Sequence, residues 1–291
     1  MNSRALPALA LVFNAFTWGV SWWPFRAMQS AGLHPLWLTT LTFAVAVLVL
    51  LLARPGAWRE VLRTPTLWVL MAAAGTTNAC FNWAVTIGDV VRVVLLFYVM
   101  PLWAVLLARP LLGERIGVGA ILRVLLALTG AAVVLWPPDG ATHTPFSLAD
   151  GLALAGGFCF ALNNVMLRRE AQRSEPARAL AMFFGGMLIS LLLAALQTRS
   201  GHVPPPPAPA VGWLLFTTVL ALWFIGSNLA LQYGAARLPA QVTSVIMITE
   251  VLFASLSAVL LGGGVLDART ALGGALIMAA AGLAALHKGH H

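Results

Sequence analysis

Two apolar stretches with a shared ending decide how this chain is organised. Residues 96–114 read LFYVMPLWAVLLARPLLGE, and residues 246–264 read IMITEVLFASLSAVLLGGG. When their Leu-Leu-Gly triplets are aligned, Pro101 of the first stretch falls opposite Glu250 of the second. One stretch therefore has a helix breaker near its middle, and the other has a carboxylate deep inside an apolar run. We interpret them as matching helices from two copies of one unit.

The composition is that of a protein that crosses a membrane many times. Of the 291 residues, 60% are hydrophobic and 9% are charged, whereas a soluble domain has about 25% charged residues. A net charge of +8 favours nucleic acid in a soluble protein, but here the arginines lie between apolar runs, as membrane-flanking charges do. We therefore expect an all-α integral membrane protein. Its partners are the lipid bilayer and a small-molecule substrate, not nucleic acid.

Ten apolar runs have about the 20 residues that a membrane-spanning helix needs. We number them as spans 1 to 10; they cover residues 8–27, 33–53, 66–87, 90–109, 116–136, 148–168, 178–197, 211–233, 240–262 and 268–286. Proline-rich turns at residues 54–56, 136–140 and 202–210 separate several of them. No signal-peptide cleavage site follows the first run, so we expect it to remain as span 1.

The distribution of basic residues predicts the orientation of the chain. Twelve Lys and Arg residues lie on the side of the N-terminus and four lie on the other side, with Arg123 left inside span 5. Cytoplasmic loops carry the excess of positive charge. We therefore expect both termini in the cytoplasm and residues 137–147, which contain no Lys or Arg, facing outward.

Spans 1–5 and spans 6–10 contain short sequence matches in the same order. The pattern Asn-x-Ala-x-x-x-Gly begins at Asn82 and again at Asn228, and late glycines occur at Gly130 and Gly282. The offset between matches rises from 142 to 152 along the chain, as small loop insertions would produce. Because five is an odd number of crossings, the two units must be inverted relative to each other, a plan typical of secondary transporters.

The expected domains follow from this repeat. Residues 1–136 form the first five-helix repeat, residues 137–147 form an extracytoplasmic linker, and residues 148–291 form the second repeat with a short tail. We exclude the histidines of that tail from any metal site.

These features resemble the ten-helix, EamA-type branch of the drug/metabolite transporter superfamily. Besides the paired five-span units, the resemblance is carried by Trp18-Gly19, Pro101, Leu112-Gly113-Glu114 and Gly130. It covers nearly the whole chain and implies a transporter, since most members export metabolites, amino acids or drugs and some import them. The aromatic-lined, carboxylate-poor spans are most similar to bacterial aromatic amino acid exporters. The chain departs from the family at Glu250, where proline is frequent, and at Gly263, where glutamate is frequent.

Six spans carry a polar and aromatic face at helical spacing, namely spans 1, 3, 4, 6, 8 and 9. Polar groups inside a bilayer are costly and face a cavity or another helix, so we expect these six spans at the centre and the other four at the rim. The candidate substrate-binding residues are Asn14, Trp18, Trp22, Asn78, Asn82, Phe97, Tyr98, Pro101, Phe160, Asn163, Asn164, Trp223, Phe224 and Asn228. Amides both donate and accept hydrogen bonds, and aromatic walls hold a flat ring or a cation. This chemistry suits a zwitterionic aromatic amino acid.

Several of these residues have an alternative interpretation that the sequence leaves open. An asparagine in a membrane helix also bridges helices, which contributes about 0.6 kcal/mol. Pro101 is expected to kink span 4 and to free the Phe97 carbonyl, which we place in the cavity. Glu250 is either a proton site coupled to export or a carboxyl group bonded to a neighbouring helix or to Arg123. Glu114 is interpreted as a structural charge at the start of span 5.

The leading hypothesis is a secondary transporter that exports amino acids, aromatic ones preferred, by alternating access. An exporter of purines or aromatic drugs, a channel and a membrane-embedded enzyme are the alternatives. The sequence contains no Ser/His/Asp set, no H-E-x-x-H motif and no Walker loop, so we expect no catalytic residues and no ATP. Cys80 and Cys159 lie in apolar runs and favour neither a disulfide nor a metal site. We expect no metal and no cofactor, and the oligomeric state stays open, a monomer included.

Overall fold

The computed structural model describes residues 5–113, 118–135, 146–208, 211–235, 237, 246–247, 249–264 and 266–286. Every regular element in these ranges is an α-helix, which confirms the predicted class. The helices are, in chain order, Ala5–Val20 and Trp22–Ser30 (span 1), Pro35–Ala53 (span 2), the short helix Gly56–Arg63, Pro65–Ile87 (span 3), Val90–Phe97 and Met100–Leu112 (span 4), Val118–Leu135 (span 5), Leu148–Arg169 (span 6), Glu175–Arg199 (span 7), Val211–Ala235 (span 8), Thr249–Leu260 (span 9) and Ala268–Leu286 (span 10).

Each predicted span contains helix, and two of them are built differently from the prediction. Spans 1 and 4 each consist of two helices, joined at Ser21 and at Tyr98–Val99. The helix Gly56–Arg63 occupies a segment that the sequence analysis treated as a connection between spans. Spans 1, 2, 6, 7 and 8 are long and apolar enough to cross a membrane on their own.

The two Leu-Leu-Gly triplets end their helices in the same way. Gly113, after span 4, has φ 72°, and Gly262, after span 9, has φ 69°. Glycine adopts this left-handed conformation without the penalty of a Cβ atom, which makes it the usual residue at a helix C-terminus. The alignment that defined the repeat therefore corresponds to a shared local structure.

Helix packing between the two halves follows a pseudo-two-fold rule. Span 3 packs against spans 6 and 7, and its counterpart span 8 packs against spans 1 and 2. Span 4 packs against span 6 as span 9 packs against span 1, while spans 2 and 7, 4 and 9, and 5 and 10 pair with their own counterparts. The fold is thus two inverted five-helix repeats. The boundaries at residues 136 and 148 stay predictions, because residues 136–145 lie outside the described part.

Glycines set the closest contacts between the repeats. A Cβ atom on Gly185 of span 7 would overlap the Met71 carbonyl of span 3, and one on Gly75 would overlap the Gly185 backbone. Gly130 and Gly273 bring spans 5 and 10 together in the same way. Small residues permit such backbone-to-backbone approach in membranes. These glycines thus serve contacts within one chain.

Candidate substrate site at the repeat interface

The centre of the molecule is marked by a hydrogen bond between spans 4 and 9. The Tyr98 hydroxyl donates to Glu250 Oε2 at 2.9 Å and also lies 3.2 Å from the Met247 carbonyl oxygen. In the repeat alignment Tyr98 corresponds to Met247, and Pro101 corresponds to Glu250. A residue that contacts its own counterpart must lie close to the pseudo-two-fold axis. Tyr98 and Glu250, 2% and 7% exposed, are therefore buried at the central crossing of the repeats.

The local sequence of span 4 explains how Tyr98 reaches this position. The helix Val90–Phe97 starts at the Asp89 cap and ends at Tyr98, and a new helix begins at Met100. Pro101 follows in the first turn of that helix, where its missing N–H costs little. Span 4 is therefore broken into two helices at residues 98–99, where the sequence predicts one helix kinked at Pro101.

The Phe97 carbonyl does not face a cavity. A Cβ atom on Gly157 of span 6 would lie 2.5 Å from the Phe97 carbonyl oxygen, so the span 6 backbone covers this carbonyl. Our expectation of a free carbonyl lining the cavity was wrong on this point. The absence of a side chain at Gly157 allows the two backbones to meet.

Span 1 contacts span 9 at two levels. A Cβ atom on Gly19 would lie 2.8 Å from the Glu250 carbonyl oxygen, so the backbones touch beside the central crossing. Further along span 1, Trp22 Nε1 donates to Ser257 Oγ at 2.9 Å, and the indole ring lies against Gly263. The sequence predicts Trp22 as a site residue but does not predict Ser257 as its partner.

Spans 3 and 4 also reach the end of the molecule where Trp22 contacts span 9. Arg26 Nε donates to the Val85 carbonyl at 2.9 Å, and its guanidinium lies 5.1 Å from the centre of the Trp22 ring. The Val90 N–H donates to the Gly263 carbonyl at 3.1 Å. Spans 1, 3, 4 and 9 thus converge at the end that we predict to be extracytoplasmic.

Four of the predicted asparagines make hydrogen bonds within the protein. Asn14 Nδ2 donates to Ser227 Oγ at 2.7 Å, which links spans 1 and 8, and Asn82 Nδ2 donates to Thr39 Oγ1 at 3.0 Å. Asn78 donates to the backbone of its own helix, and Asn228 accepts from Gln232. The contacts of Asn14 and Asn82 match the helix-bridging alternative, whereas those of Asn78 and Asn228 lie within one helix. Contact with a substrate stays a prediction.

Three of the predicted asparagines nevertheless keep an unused acceptor. The side-chain oxygens of Asn14, Asn82 and Asn163 have no hydrogen-bond partner within the described part of the chain. The three residues are between 0% and 2% exposed. A buried amide oxygen without a partner costs roughly 1–3 kcal/mol, so each of these atoms is a place where a donor would be stabilised.

The predicted aromatic residues fall into two groups. Trp18 stacks on Phe224 with ring centres 4.9 Å apart and planes 11° from parallel, and Phe97 lies 5.3 Å from Phe160. Trp223, by contrast, is 42% exposed. The first two pairs lie on spans of the predicted central set, whereas Trp223 faces away from the packed centre.

The remaining predicted residues are not brought to the centre or are not described. Asn164 is exposed, although its Oδ1 lies 3.4 Å from Asn163 Nδ2. Glu114 and the side chains of Pro101 and Arg123 lie outside the described residues. The proposed alternative pairing of Glu250 with Arg123 therefore stays a prediction.

An ion pair between Arg92 and Asp150 joins the two repeats and was not predicted from the sequence. Arg92 Nε lies 2.8 Å from Asp150 Oδ1, and Arg92 Nη2 lies 3.0 Å from Asp150 Oδ2. Asp150 also completes a capping box with Ser147 at the start of span 6. The spacing Ser-x-x-Asp before an apolar run is a known signal for such a cap, so the helix start could have been predicted, though not the arginine.

A cavity of about 370 Å³ lies at the opposite end of the molecule. It is bordered by the start of the helix Gly56–Arg63, by Glu60 and by Ser174. None of the predicted substrate-binding residues lines it. In the part of the chain that the structure describes, no three His, Cys, Asp or Glu side chains form a metal-binding group.

Comparison with known proteins places the chain in a family. The model of the EamA-like transporter family matches residues 5–136 and 147–286. An uncharacterised transporter of Pseudomonas aeruginosa is 38% identical over 95 residues, a match that spans 31% of this chain and 32% of that protein. A protein crystal structure with 21% identity covers 97% of both chains with a TM-score of 0.60, which shows the shared fold. This multi-pass membrane protein belongs to the EamA-like transporter family.

Proposed function

We propose that the protein exports amino acids, preferably aromatic ones, by alternating access in a bacterial inner membrane, with both termini in the cytoplasm. The observation that carries the proposal is the Tyr98–Glu250 contact between the repeats. Transporters built from inverted repeats move the repeats around a site near the bilayer midplane. A contact close to the pseudo-two-fold axis stays central during such a motion.

The chemistry of the predicted site residues on the central spans supports an amino acid as the substrate. The unpaired oxygens of Asn14, Asn82 and Asn163 suit an ammonium group, which is a pure donor. The Trp18–Phe224 and Phe97–Phe160 pairs supply flat apolar surfaces that favour a ring. A purine also has N–H donors, but it lacks the charged ammonium group of an amino acid.

The contacts of Trp22 suggest which end of the pathway is closed. The Trp22–Ser257 and Val90–Gly263 hydrogen bonds join the first repeat to the second at the end that we assign to the extracytoplasmic side. A substrate leaving through that end must separate these pairs. We assign this structure to the state that is closed to the outside.

Glu250 is our candidate for coupling transport to protons. Ionisable residues inside membrane spans are costly and usually functional. Its carboxyl oxygen Oε2 is bonded to a neutral hydroxyl, so it can bind and release a proton without first breaking a salt bridge at that atom.

The test is uptake of labelled substrates into liposomes that contain the purified protein. We expect saturable uptake of tryptophan, phenylalanine and tyrosine, little uptake of leucine or adenine, and faster uptake with a pH gradient. E250Q should lose the effect of the gradient, whereas the matched surface variant E60Q should keep it. Adenine uptake without amino acid uptake would favour the purine alternative. Flux that does not saturate would indicate a channel, and a chemically altered substrate would indicate an enzyme.

A further inference from the structure

The Tyr98 hydroxyl has one proton and faces two acceptors on span 9. Glu250 Oε2 lies 2.9 Å from it, and the Met247 carbonyl oxygen lies 3.2 Å from it. A phenol has a single donor, together with an oxygen that can accept. The hydroxyl therefore cannot make a well-aligned hydrogen bond to both acceptors at once, and the charge on Glu250 decides which one it prefers.

We propose that Tyr98 is a positioning residue that relays the protonation of Glu250 to the backbone of span 9. With Glu250 ionised, Tyr98 donates to the carboxylate, because hydrogen bonds to a charged group are roughly twice as strong as neutral ones. With a proton on Glu250, the carboxyl O–H donates to the Tyr98 oxygen, and the Tyr98 proton turns to the Met247 carbonyl. One proton is added to Glu250, Tyr98 keeps its own, and no covalent bond in the protein changes.

The location of Tyr98 turns this exchange into a change of contact between the repeats. Tyr98 lies in the joint between the two helices of span 4, so small shifts of the ring are not opposed by a continuous helix. Met247 and Glu250 lie one turn apart in span 9. Protonation therefore reverses the direction of the Tyr98–Glu250 hydrogen bond and adds a hydrogen bond from the span 4 joint to the backbone of span 9. The inference rests on the proposed coupling role of Glu250.

The charged groups on the surrounding spans are engaged elsewhere. On span 1, Arg26 donates to the Val85 and Gly88 carbonyls. On span 4, Arg92 is paired with Asp150 of span 6, and Arg109 is exposed near the far end of the helix. The residue of span 1 that lies against the Glu250 backbone is Gly19. Among the described side chains, Tyr98 is the one hydrogen-bonded to Glu250 and therefore the one that responds directly to its charge.

The tyrosine content of the chain allows a direct test. The protein has two tyrosines, Tyr98 and Tyr233, and Tyr233 lies under Arg237 near the end of span 8. Y233F protein labelled with 3-fluorotyrosine and placed in lipid nanodiscs should give a single fluorine resonance from position 98. We expect this resonance to move between two positions as the pH is changed over the range where tyrosine itself keeps its proton.

The variant E250Q in the same labelled background provides the control. The glutamine amide can donate to the Tyr98 oxygen as a protonated carboxyl does, so the resonance should stay at its acid position at every pH. A resonance that does not move with pH when Glu250 is present, or that moves equally in E250Q, would overturn the proposal.

A transport measurement separates this proposal from the proposed function. Y98F removes the hydroxyl that carries the relay, so the ratio of labelled tryptophan uptake with a pH gradient to uptake without one should fall towards one, whatever the uptake without a gradient is; an unchanged ratio would contradict the relay. If the fluorine signal follows Glu250 but no labelled amino acid is taken up, the relay stands and the proposed export fails. If uptake depends on pH while the signal is static, the relay fails and the export stands.

Discussion

The Arg92–Asp150 pair allows a quantitative prediction about how the repeats are held together. Both oxygens of Asp150 accept from Arg92, at 2.8 and 3.0 Å, and the Asp150 side chain is 2% exposed. Changing Asp150 to Asn keeps the size of the side chain, and the amide oxygen can still accept from the Ser147 N–H. The substitution thus removes mainly the charge that neutralises Arg92.

The expected loss follows from the burial of the two partners. Removing one member of a fully buried ion pair costs about 3–5 kcal/mol, because the other charge is left without compensation. The Arg92 side chain is 21% exposed, and solvent screening of that part reduces the loss. We therefore expect D150N to lower the free energy of unfolding by about 2–3 kcal/mol.

The chain provides a matched control in Asp267. The Asp267 side chain accepts a hydrogen bond from the Thr270 N–H at the start of span 10, and it pairs with Arg269. Its side chain is 44% exposed and that of Arg269 is 25% exposed, so D267N should cost less than about 1 kcal/mol. The measurement is reversible unfolding of purified protein in mixed micelles, with D150N, R92Q, the double variant and D267N compared at one pH.

The double variant tests whether the ion pair itself is responsible. Since R92Q/D150N leaves no unpaired charge, its loss should be well below the sum of the two single losses. A D150N loss no larger than that of D267N would refute the reasoning. Strict additivity of R92Q and D150N would refute it as well.

Three further predictions concern other contacts. Gly185→Ala should lower the unfolding free energy by about 1–3 kcal/mol, because the methyl group would overlap the span 3 backbone; Gly226→Ala, with nothing within 4 Å, should be neutral or stabilising. Hydrogen bonds from Ser174 lower the pKa of the Glu60 carboxyl. The ionised carboxylate therefore stabilises the fold at pH values above the ordinary pKa of a carboxyl group, and this stabilisation is lost as the pH falls through the lowered pKa. The melting temperatures of wild type and E60Q should therefore converge as the pH falls, and a constant difference would count against this. W22F removes the donor to Ser257 and should increase labelling, by a membrane-impermeant reagent applied from outside, of a cysteine placed at the buried position Ala254 with Ser257 left intact.

The structure brings two of the predicted site residues together, while their roles in binding and coupling stay predictions. Tyr98 and Glu250 were selected because a polar group in an apolar run needs a partner, and the structure shows that they are partners of each other. The sequence could not pair them, since they are 152 residues apart and their meeting depends on how spans 4 and 9 cross. The same helical spacing predicts Trp223 and Phe224 as site residues, yet Trp223 is 42% exposed and Phe224 is 1% exposed. Neighbouring positions on a helix are separated by about 100° of rotation, and only packing fixes that rotation.

The sequence by itself determined the all-helical membrane class, the ten crossings and the two matching units that end at Gly113 and Gly262. These properties depend on local hydropathy and on backbone preferences, which each segment carries wherever it is placed. Only the tertiary structure decided that the Asn14 amide binds Ser227 and that Gly157 covers the Phe97 carbonyl. It also decided that the repeats meet at a hydrogen bond from a tyrosine hydroxyl. Such contacts depend on the depth and rotation of one helix relative to another, which follow from the packing of the whole bundle.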